Sequence, residues 1–198
     1  MVNSPIFPSQ PEGLTSMDVL EAIHQRRSIR SFTSQPVPDD VLAQILEAGT
    51  WAPSAGNMQA WEFVIVKDPD ARRKLVDTTD AGNTARGGIY TQEWIMQSPA
   101  IVVICYDVKR MTGRYGHKGS SLMTIMDCML CVENMALAAT HFCLGTCCVV
   151  GFDPLKLKEL LPIPKEITPL LLLPMGYPAQ TPSPPYRLPL EDVVRLVI

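Results

Sequence analysis

The chain has 198 residues, 46% of them apolar and 19% charged, with a net charge of -3. This describes a folded domain with a substantial core and gives nucleic acid no electrostatic reason to bind. No apolar run approaches the roughly 20 residues of a membrane span, and the polar, Pro-rich start lacks the basic head and apolar stretch of a secretory signal. No membrane partner and a cytoplasmic location are therefore expected. The six cysteines (Cys105, Cys128, Cys131, Cys143, Cys147 and Cys148) are read mainly as reduced, buried thiols.

Residues 1–14 have no periodicity and read as an arm; residues 15–198 read as one domain. Ser16 is placed to cap a helix running to about Arg26, with Met17, Leu20 and Ile23 on one face. A second helix follows the turn at Pro36-Val37-Pro38. Its acidic start (Asp39, Asp40) and its stripe (Val41, Leu42, Ile45, Leu46) agree with a stop at Gly49. Glu62 to Val66 is a strand, and a charged helix runs from about Ala71 to Val76. Residues 81–88 read as a polar loop. Ala100 to Tyr106 is so uniformly apolar that both its faces should be covered.

Lys109 to Ser120, basic and glycine-containing, reads as a loop. Ser121 to Thr140 is apolar nearly all round and predicts a central buried helix. Val149 and Val150 suggest a strand, and a small helix follows at Asp153 to Leu161. Leu170 to Met175 is the last strong strand, expected to be short or edge-like because of Pro169 and Pro174. The Pro-rich tail, Pro178 to Pro189, reads as an extended segment crossing the body or embracing a partner subunit. These elements give an α+β fold with a small mixed or antiparallel sheet covered by helices.

Two clusters carry chemistry. Arg26-Arg27-Ser28-Ile29-Arg30 puts three guanidiniums and a hydroxyl at a helix end. Cations also favour helix C-termini without any ligand. However, Ser28 and Arg30 fall beyond the helix period, and arginine forks match phosphate oxygens. The second cluster is Pro53-Ser54-Ala55-Gly56-Asn57-Met58-Gln59, just before Trp61 and the first strand. It has the composition of an ordinary turn, yet the amides of Asn57 and Gln59 suit the edge of a polar heterocycle.

In this order and at this separation, the two clusters resemble those of the nitroreductase family. Asn134 to Ala139 with Leu144-Gly145-Thr146, then Met175-Gly176-Tyr177-Pro178, then Arg187 before Pro189-Leu190-Glu191, extend the likeness from about Met17 to Val194. The resemblance implies an FMN-dependent oxidoreductase of the nitroreductase-like fold, working as a homodimer with flavins in the subunit interface. It implies that Arg26, Arg27, Ser28 and Arg30 bind the phosphate and ribityl chain, and that Arg187 returns to the phosphate. Pro53, Ser54, Asn57 and Gln59 would contact the flavin, some from the other subunit. Gly145, Thr146, Cys147 and Cys148 would pass against its ring. Cys148 departs from the family pattern, standing near where many relatives carry tryptophan.

NADH or NADPH would be the electron donor. Nitroaromatics, quinones or similar conjugated small molecules would be acceptors in a ping-pong cycle. The cofactor carries the bond-making, so no catalytic side chain is assigned. Reductive dehalogenation or flavin fragmentation on the same scaffold, and a non-catalytic flavin sensor or carrier, remain alternatives.

No metal site is assigned. Cys128 and Cys131 fall inside a predicted helix, and no second compact pair completes a four-ligand set. Residues 109–120 lack P-loop spacing, and no Gly-x-Gly-x-x-Gly fingerprint occurs. His24, His117 and His141 form no ligand pair, although His117 is placed to meet substrate.

Overall fold

The computed structural model describes residues 17–80 and 90–195. The expected N-terminal arm, the Ser16 cap and the 81–88 loop lie outside these residues. Among the described residues, four antiparallel strands form one sheet: β1 (Trp61–Val66), β2 (Ala100–Asp107), β3 (Gly145–Thr146) and β4 (Ile167–Gly176), in the order β1-β2-β4-β3.

Period-two alternation sends successive residues of β2 to opposite faces. Ala100, Val102 and Ile104 join Leu171, Leu173, Met175 and Trp61 on one side. That side packs against α2 (Asp39–Thr50) and α5 (Thr124–His141) through Ile45, Cys128, Cys131 and Met135. Ile101, Val103 and Cys105 join Leu172 on the other, beneath Leu75 and Val76 of α3 (Pro69–Val76) and Leu157 of α6 (Pro154–Leu160). The fold is thus helix, sheet, helix, and residues 100–105 are fully buried as their composition requires.

The helices begin where their caps allow. Asp18, Asp68 and Asp153 accept backbone N–H groups at the starts of α1 (Val19–Gln25), α3 and α6. The first cap therefore belongs to Asp18.

Several sequence expectations are corrected. Residues 108–118 form a helix, α4 (Val108–Lys118), rather than a loop. The Asp107 carboxylate accepts from Lys109 N–H, and Met111 is fully buried. Together these offset glycines at 113 and 116 that each cost about 1 kcal/mol in a helix. Gly116, at φ 60°, interrupts the regular winding, and a π-type turn (Gly119–Met123) leads into α5.

β4 is long and internal rather than short or edge-like. Pro169 adjoins a register shift opposite Ile104 and Cys105. Pro174 turns its carbonyl towards Cys147, so its missing donor faces the two-residue β3, where the ladder has little to lose. The strand expected at Val149–Val150 is a single bridge from Val149 to Leu172; the paired segment is Gly145–Thr146.

α5 is buried on one face only. Leu122, in the preceding turn, and Ile125, Met126, Met129 and Leu130 are exposed at three- and four-residue spacing. α1 likewise exposes Val19, Leu20 and Ile23 while burying Ala22. Residues 180–189 of the tail form no helix or strand, and a short α7 (Leu190–Val193) follows them.

Candidate functional site

The arginine corner is built by a helix stop and a glycine. Arg26 caps α1 at φ -53° and ψ 129°, turning the chain into an extended course. Ser28 bridges Thr146, and Ile29 N–H donates to the Thr146 carbonyl at 2.9 Å. Ile29 lies so close to Gly145 that a Cβ there would fall 2.3 Å from Ile29 Cγ1. Glycine at 145 is therefore what lets the corner dock on the sheet edge. Ala179 N–H donates to Ser31 O and Thr33 N–H to Tyr177 O, anchoring the start of the Pro-rich tail beside it.

That tail folds back over the corner. Arg26, Arg27, Ser28 and Arg30 meet Arg187, Pro182, Ser183 and Pro185 around a cavity of about 370 Å³. Four guanidiniums thus share one concavity, though Arg187 stands over 150 residues from the others. Among the described residues, Arg27, Arg30 and Arg187 pair with no carboxylate, and Arg26 Nε lies 3.6 Å from Glu133 Oε1. Arg27 Nη1 donates to the His24 and Arg26 carbonyls, both at 2.7 Å, while its Nε is buried without a partner. Gathering like charges and orphaning a buried N–H is costly unless an anion completes the site. A dianionic phosphate fits this donor set. A second cavity of about 490 Å³ adjoins across Arg27 and Pro182, with His24 and Cys143 in its wall.

Thr146 and Cys147 lie behind the corner, both buried, and Cys148 is exposed beside them. The Cys147 thiol is pushed up by burial, against the opposing pull of Arg30, Ser28 and Arg26. Cys148 is exposed as a whole residue, but the protein around its sulfur partly desolvates it and so raises it, with Cys147 and Glu133 adding and Arg26 opposing. Cys105, Cys128 and Cys131 are pushed up to about 12 by burial. Among these five no thiolate is presented as a nucleophile. The expectation of buried thiols fails for Cys143 and Cys148, which are exposed.

The second cluster is a tight 3₁₀ turn at Ala55–Asn57 with two left-handed residues, Gly56 (φ 57°) and Asn57 (φ 55°), followed by a third at Gln59 (φ 48°). Ser54 Oγ accepts from Gln59 N–H at 3.1 Å, and Gln59 Nε2 donates to Asn57 Oδ1 at 3.1 Å. Below, the buried carboxylate of Asp127 accepts from Ala55 N–H at 3.0 Å. Pro53, Asn57 and Gln59 open onto a cavity of about 580 Å³ shared with Trp51. Trp61, expected beside the amides, is in the core; Trp51, 74% exposed, stands there instead. Strand alternation turns Trp61 inward.

The two clusters share no cavity-lining residue within the chain. α5 touches both, through Asp127 and Glu133. Six residues apart on a helix, those contacts are about 9 Å apart along its axis.

Sequence reading missed Trp51, Asp127, Glu133 and two arginines of α4, Arg110 and Arg114, which donate to the Gln59 and Gly56 carbonyls. Asp107 ahead of a Val-Lys-Arg-Met run was a usable helix-start signal. The other positions carry no local pattern.

Residues 23–177 match the model of the nitroreductase family, and the chain belongs to that family. Its relatives include an NADH dehydrogenase of Thermus thermophilus, 28% identical over 91% of this chain and 97% of the relative. Another is an FMN reductase [NAD(P)H] of Bacillus subtilis, 32% identical over 89% of this chain and 72% of the relative. Among solved structures, the NADPH:FMN oxidoreductase of Vibrio harveyi complexed with NAD+ superposes with a TM-score of 0.76. It is 28% identical, over 90% of this chain and 76% of that one. No helix of the described residues is long and apolar enough to cross a membrane.

Proposed function

We infer that the protein is an NAD(P)H-dependent FMN oxidoreductase of the nitroreductase family. The observation that carries this reading is the cavity lined by four arginines and Ser28, one of those arginines, Arg27, keeping a buried Nε without a partner. Arg26, Arg27, Ser28, Arg30 and Arg187 would hold the phosphate and the chain leading from it. When bound, the flavin supplies hydride and electron transfer between NAD(P)H and an acceptor. The chain's own residues supply grip, orientation and hydrogen bonds. Pro53, Ser54, Asn57 and Gln59 would address the ring, with Gly145, Thr146, Cys147 and Cys148 passing against it.

A homodimer is part of this reading. The two clusters line separate cavities within the chain, and one flavin would take the arginine corner from one chain and the Ser54–Gln59 segment from the other. The exposed apolar residues of α5, together with Val19, Leu20 and Ile23 of α1, would supply the contact surface. A two-fold axis through this surface would carry each partner's amide loop over the opposite corner.

The acceptors proposed are nitroaromatics, quinones or similar conjugated molecules, in a ping-pong cycle where donor and acceptor use the same place in turn. The test is the absorbance spectrum of purified protein, then anaerobic titration with NADH and NADPH. The expected result is a flavin spectrum bleached by the donor and restored by a quinone. Protein that takes up no FMN, or flavin that neither donor bleaches, would contradict the reading.

A further inference from the structure

Helix α4 has no part in the corner, yet its charge is lopsided. Val108–Lys118 holds Lys109, Arg110, Arg114 and Lys118 with no acidic residue, in a chain whose net charge is -3. Arg110 and Arg114 stand one turn apart on the same helix face. They donate to carbonyls on either side of Asn57: Arg110 Nη1 to Gln59 O at 2.9 Å and Arg114 Nη1 to Gly56 O at 3.3 Å.

Their electrostatic situations differ. Arg110 is neutralised by Glu62 at 2.7 Å and Asp107 at 3.4 Å. Arg114 meets no carboxylate among the described residues. It is exposed, with its guanidinium carbon 5.4 Å from the Tyr115 ring centroid and one amino group on Gly56 O. Gly56, at φ 57°, has a backbone that side chains rarely adopt, and the ends of Tyr115 and Arg114 rest where its Cβ would be, at 2.5 Å and 2.6 Å. Loop and cation are thus in contact, and the remaining donors of Arg114 are left for something else.

Resting on the functional reading above, we propose that Arg114 selects a second substrate carrying an anionic group. It would receive a phosphate or carboxylate at the rim of the site while the substrate's conjugated part lies against the flavin. A guanidinium with free donors, pinned by a backbone carbonyl and a ring, binds such oxyanions through paired N–H groups. Two sources present this chemistry: the 2′-phosphate of NADPH, and a carboxylate on the acceptor.

The experiment measures dissociation constants by calorimetry on flavin-loaded wild type, Arg114→Gln and Arg114→Lys. NADP+ is compared with NAD+, and 4-nitrobenzoate with its methyl ester. Wild type is expected to prefer the anionic member of at least one pair. In Arg114→Gln, which keeps an amide for Gly56 O, that preference should fall about ten-fold. Arg114→Lys should keep most of it. A fall confined to the nucleotides assigns the 2′-phosphate, and one confined to the nitrobenzoates assigns an acceptor carboxylate. No preference in wild type, or preferences unchanged in Arg114→Gln for both pairs, overturns the proposal. The flavin content of the same samples separates the two readings. Yellow wild type with unchanged ratios defeats this inference alone, whereas colourless wild type defeats the functional reading and this one with it.

Discussion

Arg30 is exposed and ionically unpaired among the described residues, whereas Arg26 leans towards Glu133 at 3.6 Å. Each guanidinium facing a phosphate should contribute roughly 1.5–3 kcal/mol as a charged hydrogen-bond partner. Arg26→Ala and Arg30→Ala are each expected to weaken FMN binding by about ten- to a hundred-fold, read by flavin fluorescence titration; unchanged affinity in both would remove the corner from the site. Asp127 tests the amide loop from beneath. Burial raises its pKa, with the Ala55 N–H opposing. A carboxyl raised in the folded state holds its proton to higher pH than in the unfolded chain, so its ionisation destabilises as pH climbs through the folded value. Asp127→Asn keeps an acceptor for Ala55 and removes the charge. Its stability relative to wild type should therefore improve as pH rises from the acidic range to neutrality. Chemical denaturation at a series of pH values checks this, and a constant difference would refute it.

At the scale of elements, α5 ends in a Schellman arrangement with an unusual residue. Leu144 N–H donates to Ala139 O, and Cys143 N–H to Thr140 O, with Cys143 at φ 58° where glycine is customary. Cys143→Gly removes left-handed strain of roughly 1–2 kcal/mol against roughly 0.5–1 kcal/mol for glycine's greater freedom in the unfolded chain, so urea melts should show a net gain of about 0.5–1 kcal/mol. A loss of stability would show that the thiol packs usefully.

The same scale explains what the sequence could and could not disclose. The arginine corner was legible because its residues are contiguous and follow a helix stop. The fully apolar β2 announced its burial directly. α4 was hidden because Gly113 and Gly116 mimic a loop, while its cap and its single fully buried residue, Met111, are brief signals. Pro169 and Pro174 misled because proline is read as an edge residue. Here one adjoins a bulge and the other faces a two-residue neighbour. Trp61 faces the core because the phase of β1 turns it inward, and Trp51, exposed at the end of α2, carried no local signal.

For the whole molecule, composition suggested that α5 was buried all round, and one chain buries only half of it. The exposed residues from Leu122 to Leu130 make sense if a second copy covers them. Glutamates at both Met126 and Leu130 would oppose their symmetry mates across such an interface. Light scattering of the double variant should report a monomer with little bound flavin. A dimer of wild-type mass would move the interface elsewhere.

The shared site can be tested directly by subunit mixing. One chain carries Arg26→Ala with Arg30→Ala. The other carries Asn57→Gly with Gln59→Gly, substitutions suited to the left-handed backbone there. Neither should bind FMN well by itself. In a mixed dimer, one of the two sites unites the intact corner of one chain with the intact loop of the other. Co-refolded chains are therefore expected to recover close to one tightly held flavin per mixed dimer, with reduction by NAD(P)H. Mixed dimers as empty as their parents would contradict a cofactor held jointly by the arginine corner and the partner's amide loop.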